Sequence, residues 1–244
     1  MEMDDLIIDL PDPTTTQQRR RHEHTPARIG IGRAGPRPRT ADLLLFQADH
    51  GVTQDALMRE VDPDLLLEMG LFQVNSRASS RQEYLKRPDL GRLLTTEAMQ
   101  TLADRLVKQP DVQLFVSDGL SAAAVEHNLP VLLPALQLTL HQAGLTVGTP
   151  FFVRNGRVGL LNAVNQVAAA NVCAVLIGER PGLARAESMS IYLGFRPTPS
   201  ATDAQRNVIS NIYEGGLPPQ EAARQAVRLI QKMIAQQTSG VDLV

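Results

Sequence analysis

Hydrophobic and polar positions alternate in two rhythms along the second half of the chain. Short continuous apolar runs end in turn residues: VQLFVSDG (112–119), FFVR (151–154) before Asn155-Gly156, and NVCAVLIG (171–178) before GERPGL. Such runs read as strands buried on both faces. ESMSIYLGF (187–195) and RNVISNIYEGG (206–216) predict a fourth and a fifth strand. Between the runs the apolar period lengthens to that of a helix. TTEAMQTLADRLVKQ places Ala98, Leu102 and Leu106 four apart behind a cap at Thr95 or Thr96. Ser121 is the expected cap of SAAAVEHN; VLLPALQLTLHQAG then reads as a separate helix, with Pro134 in its first turn and Gly144 as its stop. VGLLNAVNQVAAA predicts another helix. The last has Pro218 and Pro219 at its entry and a stripe of Ala223, Val227, Ile230 and Ile234.

Strands alternating with helices imply an α/β fold, Rossmann-like, with a largely parallel sheet and helices on both faces, over residues 95–244. Residues 28–94 read as an Arg-rich loop and a helical N-terminal region. Thr40 caps ADLLLFQADHG, Pro63 stands near the start of DPDLLLEMG (62–70), and SRASSRQEYLKRPDLGRLL reads as irregular. Residues 1–27 read as a flexible, disordered tail, polar and without an apolar period, with Arg19, Arg20 and Arg21 in a row.

Composition narrows the classes. The net charge is -2 and aromatic residues are 4% of the chain, with no Trp. Neither a nucleic-acid surface nor a base-stacking platform is indicated. The lone Cys173 excludes an internal disulfide and fits a reducing compartment. No apolar run reaches the roughly 18 residues of a membrane span, and the acidic start MEMDDLIIDLPDP is unlike a secretory signal.

Familiar catalytic patterns fail on context. GIGRAG (30–35) is one residue short of a dinucleotide fingerprint and follows no strand. His22, His24, His50, His127 and His141 lack the paired spacing of metal ligands. Ser117 and Ser121 flank SDGLS, which is no nucleophile elbow, and Cys173 sits within an apolar strand. Two features ask for a ligand or partner. Arg28, Arg33, Arg37 and Arg39 lie among glycines and prolines, which suits either an anionic surface or solvent. Glu179 and Arg180 stand between Gly178 and Pro181 where a buried strand ends. Glu179 reads either as an acceptor for a large amide-decorated ligand or as the partner of Arg180 or Arg185. The loops 117–119, 154–158 and 178–183 all follow strands, where open parallel sheets bind ligands.

Six blocks also carry a resemblance: GRAGPRPRT (32–40), SDGLS (117–121), QAGLTVGTPFFVRNGRV (142–158), LIGERPGL (176–183), ISNIYEGGLPP (209–219) and TSG (238–240). In this order they resemble the small subunit of ethanolamine ammonia-lyase, a carbon–nitrogen lyase, over about residues 28–244. The resemblance implies an adenosylcobalamin-dependent conversion of ethanolamine to acetaldehyde and ammonia. A barrel-type large subunit would hold the substrate and this chain would cover the cofactor, in a hetero-oligomer active only as a complex. Val158, Glu179 and Val208 match the family's cobalamin-contacting positions. At Val208 the family often has Cys, so any role here is apolar or through the backbone. No catalytic acid, base or nucleophile, no metal ligand, no nucleic acid and no membrane are expected for this chain. The expected location is cytoplasmic, and for many family members inside a bacterial microcompartment. The family's N-terminal extension, on which such addressing depends, is longer than this one. The alternative is a non-enzymatic α/β scaffold that binds a partner through its Arg-rich loop.

Overall fold

A computed structural model describes residues 31–182 and 186–244. The tail, Arg28 and Arg185 therefore lie outside the described residues. The chain divides into two compact units, residues 1–55 with 182–184, and residues 56–181 with 185–244.

In the first unit, β1 (Arg33–Ala34) and β2 (Arg37–Pro38) form a small antiparallel hairpin. Gly35 turns it at φ +63°, a conformation glycine adopts without strain. Residues 33–35 of GIGRAG thus supply the first arm and the turn of a hairpin, Gly30 lying outside the described residues, and Arg33, Arg37 and Arg39 are exposed. Helix α1 (Thr40–Met58) follows and continues through Gly51, beyond the segment 41–51 that the sequence predicts.

The second unit is α/β, as expected. Its helices are α2 (Pro63–Glu68), α3 (Arg81–Lys86), α4 (Thr96–Arg105), α5 (Ala122–Gln142), α6 (Leu160–Ala168) and α7 (Pro219–Gln236). Its strands are β3 (Phe72–Asn75), β4 (Val112–Ser117), β5 (Phe151–Arg154), β6 (Val172–Gly178), β7 (Met189–Phe195) and β8 (Asn207–Ile212). The sheet order is β3-β5-β4-β6-β7-β8. The first four strands run parallel; β7 and β8 add on antiparallel. The short edge strand β3 carries too little period to be read from sequence.

Both sheet faces are covered, which explains the unbroken apolar runs. Leu114, Val116, Ala174 and Leu176 pack under α5 and α7 with Leu129, Leu136, Ala226 and Ile230. Phe115, Cys173, Val175 and Ile177 point the other way, into Leu102 of α4 and Leu160, Leu161 and Val164 of α6. Thr95 and Ser121 cap α4 and α5 as predicted, accepting from the N–H groups of Ala98 and Ala124. Asp62 caps α2, with Pro63 at its first position.

One expectation is corrected. Residues 122–142 form a single helix, not two meeting at Pro130 and Pro134. The prolines are four apart, so both fall on the exposed side. The carbonyls they leave free, those of Glu126 and Pro130, lie on that side as well. The opposite stripe of Leu129, Leu132, Leu133, Leu136 and Leu140 is buried and holds the helix through them. Among the described residues no helix is long and apolar enough to cross a membrane.

Candidate functional site

The parallel strands β4, β5 and β6 bring Ser117, Arg154 and Gly178 to the same carboxyl edge of the sheet. Their loops interlock there. Leu120 N–H donates to the Gly178 carbonyl at 3.0 Å. Gly119 has φ +54°, and a Cβ on it would lie 2.3 Å from that carbonyl oxygen. A Cβ on Gly178 would lie 2.1 Å from the Ser121 carbonyl oxygen and 2.6 Å from that of Asp118. Glycine is required at both positions because backbone meets backbone.

A buried polar network fixes these loops from behind. Arg81, 4% exposed, projects from α3. Its Nη1 donates to Asp118 Oδ2 (3.2 Å) and to the Gly119 carbonyl (2.8 Å), and its Nε to the Leu57 carbonyl (2.6 Å). Asp118 Oδ1 accepts from Asn155 N–H (2.8 Å) and lies 3.1 Å from Ser117 Oγ. Burial pushes the Asp118 carboxyl up to about 6, and the Arg81 guanidinium opposes the rise. Asn155, at φ +56°, turns the chain after β5. Tyr84 O–H donates to the Gly156 carbonyl (3.1 Å), and the Arg157 guanidinium lies 4.1 Å from the centre of the Tyr84 ring. Burial raises the Tyr84 phenol above its ordinary range.

Two adjoining hollows open beside this network. One, of about 310 Å³, is lined by Val158, Val208, Tyr192, Arg157, Arg92 and Arg206 among others. The second, of about 200 Å³, has Glu179, Val158, Tyr84, Arg157, Ser190 and Tyr192 in its wall. Arg157, Val158 and Tyr192 belong to both, so Val158, Glu179 and Val208 stand on one concave face. Val208 pairs with Tyr192 in the β7–β8 ladder and is 48% exposed. Glu179 Oε1 accepts from Ser190 Oγ (2.5 Å) and from Asn211 N–H (2.9 Å). Neutral donors thus hold Glu179, and among the described residues it forms no ion pair with Arg180.

The remaining candidates are structural. Ser117 Oγ donates to the Val153 carbonyl (2.8 Å), and Ser121 Oγ to that of Ala186 (2.5 Å). Cys173 is buried, and burial raises its thiol pKa. Among the described residues, which include His50, His127 and His141, no acidic, His or Cys cluster suits a metal; His22 and His24 lie outside them. Sequence reasoning missed Arg81 and Tyr84, because it took 76–94 as irregular. The available signal was Ser80, whose hydroxyl caps α3 by accepting from Glu83 N–H at 3.2 Å.

The arrangement defines an open α/β protein with a concave face beside the carboxyl ends of its parallel strands. Residues 15–244 match the profile of the ethanolamine ammonia-lyase light chain (EutC), and the chain belongs to that family. It is similar to the ethanolamine ammonia-lyase small subunit of Clostridium tetani, with 43% identity over 238 residues, 98% of this chain and 80% of that one. The small subunit of Fusobacterium nucleatum subsp. nucleatum is 44% identical over 238 residues, 97% of this chain and 81% of that one.

Proposed function

We propose that this chain, assembled with an ethanolamine ammonia-lyase large subunit, seats adenosylcobalamin and supports the conversion of ethanolamine to acetaldehyde and ammonia. The observation that carries the reading is the convergence of Val158, Glu179 and Val208 on one concave face.

The residues on that face suit a corrin. Val158, Val208 and the Tyr192 ring offer apolar surface to a flat macrocycle. Both hydrogen bonds to Glu179 fall on Oε1, which leaves Oε2 to accept from the carboxamide groups at a corrin edge. The face is shallow, so a second polypeptide is needed to close the site against water. Adenosylcobalamin supplies the radical chemistry when bound. This chain's residues bind, orient and exclude water. No catalytic group is assigned to the chain, since the Ser117 hydroxyl is committed to the Val153 carbonyl and Cys173 is buried in the sheet.

The test is cobalamin retention by the complex reconstituted with the large subunit, read from corrin absorbance after gel filtration. Glu179→Ala removes the acceptor and is expected to weaken retention by about tenfold. The complex should still assemble. Glu179→Gln spends its one oxygen on Ser190 and Asn211 and turns its NH2 toward the corrin, so its retention should fall between wild type and Glu179→Ala. Unchanged affinity in Glu179→Ala overturns the assignment.

A further inference from the structure

The outward sides of α5 and α7 differ in kind. Both helices pack on the same face of the sheet and on each other. α7 presents Arg224, Arg228 and Lys232 to solvent, as an amphipathic surface helix does. α5 presents no such charge. Its Glu126 is turned to Arg59 and to the Asp62 N–H. From His127 to Val153 the sequence has no Asp, Glu, Lys or Arg. What faces outward instead is a stripe of His127, Val131, Pro134, Leu138 and His141, with Val131 40% and Leu138 60% exposed. Its steps of four and three are those of a heptad seam, the side of a helix that a second helix covers. Missing charge beside outward apolar groups marks the core of an interface. No residue of α5 lines the concave face, so the stripe is separate from the proposed seat.

The stripe reads nearly alike from both ends. Pro134 is its midpoint, with an aliphatic residue and then a His on either side. A second copy laid antiparallel sets Pro134 against Pro134, Val131 against Leu138 and His127 against His141. That is the self-complementary contact of a twofold axis. The same direction meets a polar need. The Glu126 and Pro130 carbonyls freed by the prolines lie in the N-terminal half, where a wholly apolar cover would orphan them. Antiparallel pairing brings the exposed His141 and Gln142 of the second copy, with their N–H groups, over that half. Size then sets the strength. A helix of 21 residues is about 31 Å long and about 10–12 Å across with its side chains. Two of them cover on the order of 700 Å² in all, short of the roughly 1,200 Å² at which stable interfaces begin. Such a contact is weak between free chains and strong between copies already held close together.

We propose that α5 is a homotypic contact through which two copies of this chain pair, antiparallel about Pro134. The pairing does not depend on the cobalamin reading above.

The experiment is disulfide trapping in the full-length chain, alone at high concentration and in the complex reconstituted with the large subunit. The chain's single Cys173 is buried, so a cysteine placed on the stripe reports by itself. Pro134→Cys restores a helical N–H and so keeps the helix; placed on the axis, it is expected to cross-link with its own copy. His127→Cys and His141→Cys are each expected to stay at background alone and to cross-link when the two are mixed. Arg228→Cys, on the charged side of α7, sets that background. Leu138→Lys added to Pro134→Cys should cut the yield about tenfold, with thermal unfolding unchanged. A Pro134→Cys yield no higher than that of Arg228→Cys overturns the proposal. So does self-linking of His127→Cys, which requires parallel helices. Loss of the cross-link when the large subunit is added gives the stripe to that subunit and overturns the pairing.

Discussion

The two sides of the concave face are built in opposite ways. On one side the tips of β4, β5 and β6 are locked. Glycines pass backbone against backbone, and Arg81, Asp118 and Asn155 are bonded to one another with Ser117 Oγ beside them, although Arg81 Nη2 is left without a partner. On the other side β8 is an edge strand with most of its residues partly or fully exposed, and Val208 is open to solvent. A seat made only of the first kind would be rigid but narrow. One made only of the second kind would lack fixed geometry. The difference teaches that, on the proposed reading, this chain contributes a preorganised half-site and leaves the other half to a subunit that covers β8.

Breaking the locked side should have the largest effect. Arg81→Met leaves Asp118 buried without its cation, and the expected loss of stability at neutral pH is about 3–5 kcal/mol. The pH dependence identifies the cause. Asp118 is pushed up to about 6 from a model-peptide value of 3.8. A carboxyl raised in the folded state gives its full stability below the unfolded value and loses it as pH rises through the folded one. Removing Arg81, which opposes the rise, lifts the Asp118 carboxyl further. The variant's deficit should therefore shrink as pH falls toward 6 and be smallest below it, where Asp118 is protonated in both proteins. Urea unfolding of wild type and variant between pH 5 and pH 8, across roughly the span in which the group titrates, measures this. A deficit constant over that range would show that lost packing around Arg81, not the stranded carboxylate, is responsible.

Next in size is Gly178→Ala. The added Cβ would meet two backbone oxygens, at 2.1 and 2.6 Å, and no flexible side chain can yield in their place. Overpacking of this kind costs about 1–3 kcal/mol. The denaturation midpoint reports it, and an unchanged midpoint would mean that the β4 and β6 loops separate easily. In that case the contrast between the two sides disappears.

How much of this was legible beforehand follows from the range of the interactions. Thr95, Ser121 and Pro63 announce their helices because a cap acts within three residues. The apolar runs of β4 and β6 announce strands covered on both faces. Pro130 and Pro134 mislead, because their cost falls on the solvent side while five buried leucines act through tertiary packing. The Arg81–Asp118 pair joins residues 37 apart in sequence, from an unassigned helix to a strand tip, so no local pattern betrays it. The family blocks single out Val158, Glu179 and Val208 one by one. That they share a face around Tyr192 depends on β7 and β8 adding antiparallel to a parallel sheet, which spacing alone does not dictate.

The open side yields the smallest effect on folding and the sharpest test of the comparison. Val208 is 48% exposed beside Tyr192, and its side chain is not part of either buried cluster. Val208→Asp should change stability by no more than about 0.5 kcal/mol, as surface substitutions usually do. If the exposed valine awaits a corrin and a covering subunit, the same carboxylate is desolvated on assembly and must be penalised there. The isolated chain should then unfold like wild type, while the reconstituted complex loses bound cobalamin on gel filtration. Normal retention alongside normal stability would show that the β8 edge is plain surface, and the half-site would have to close elsewhere.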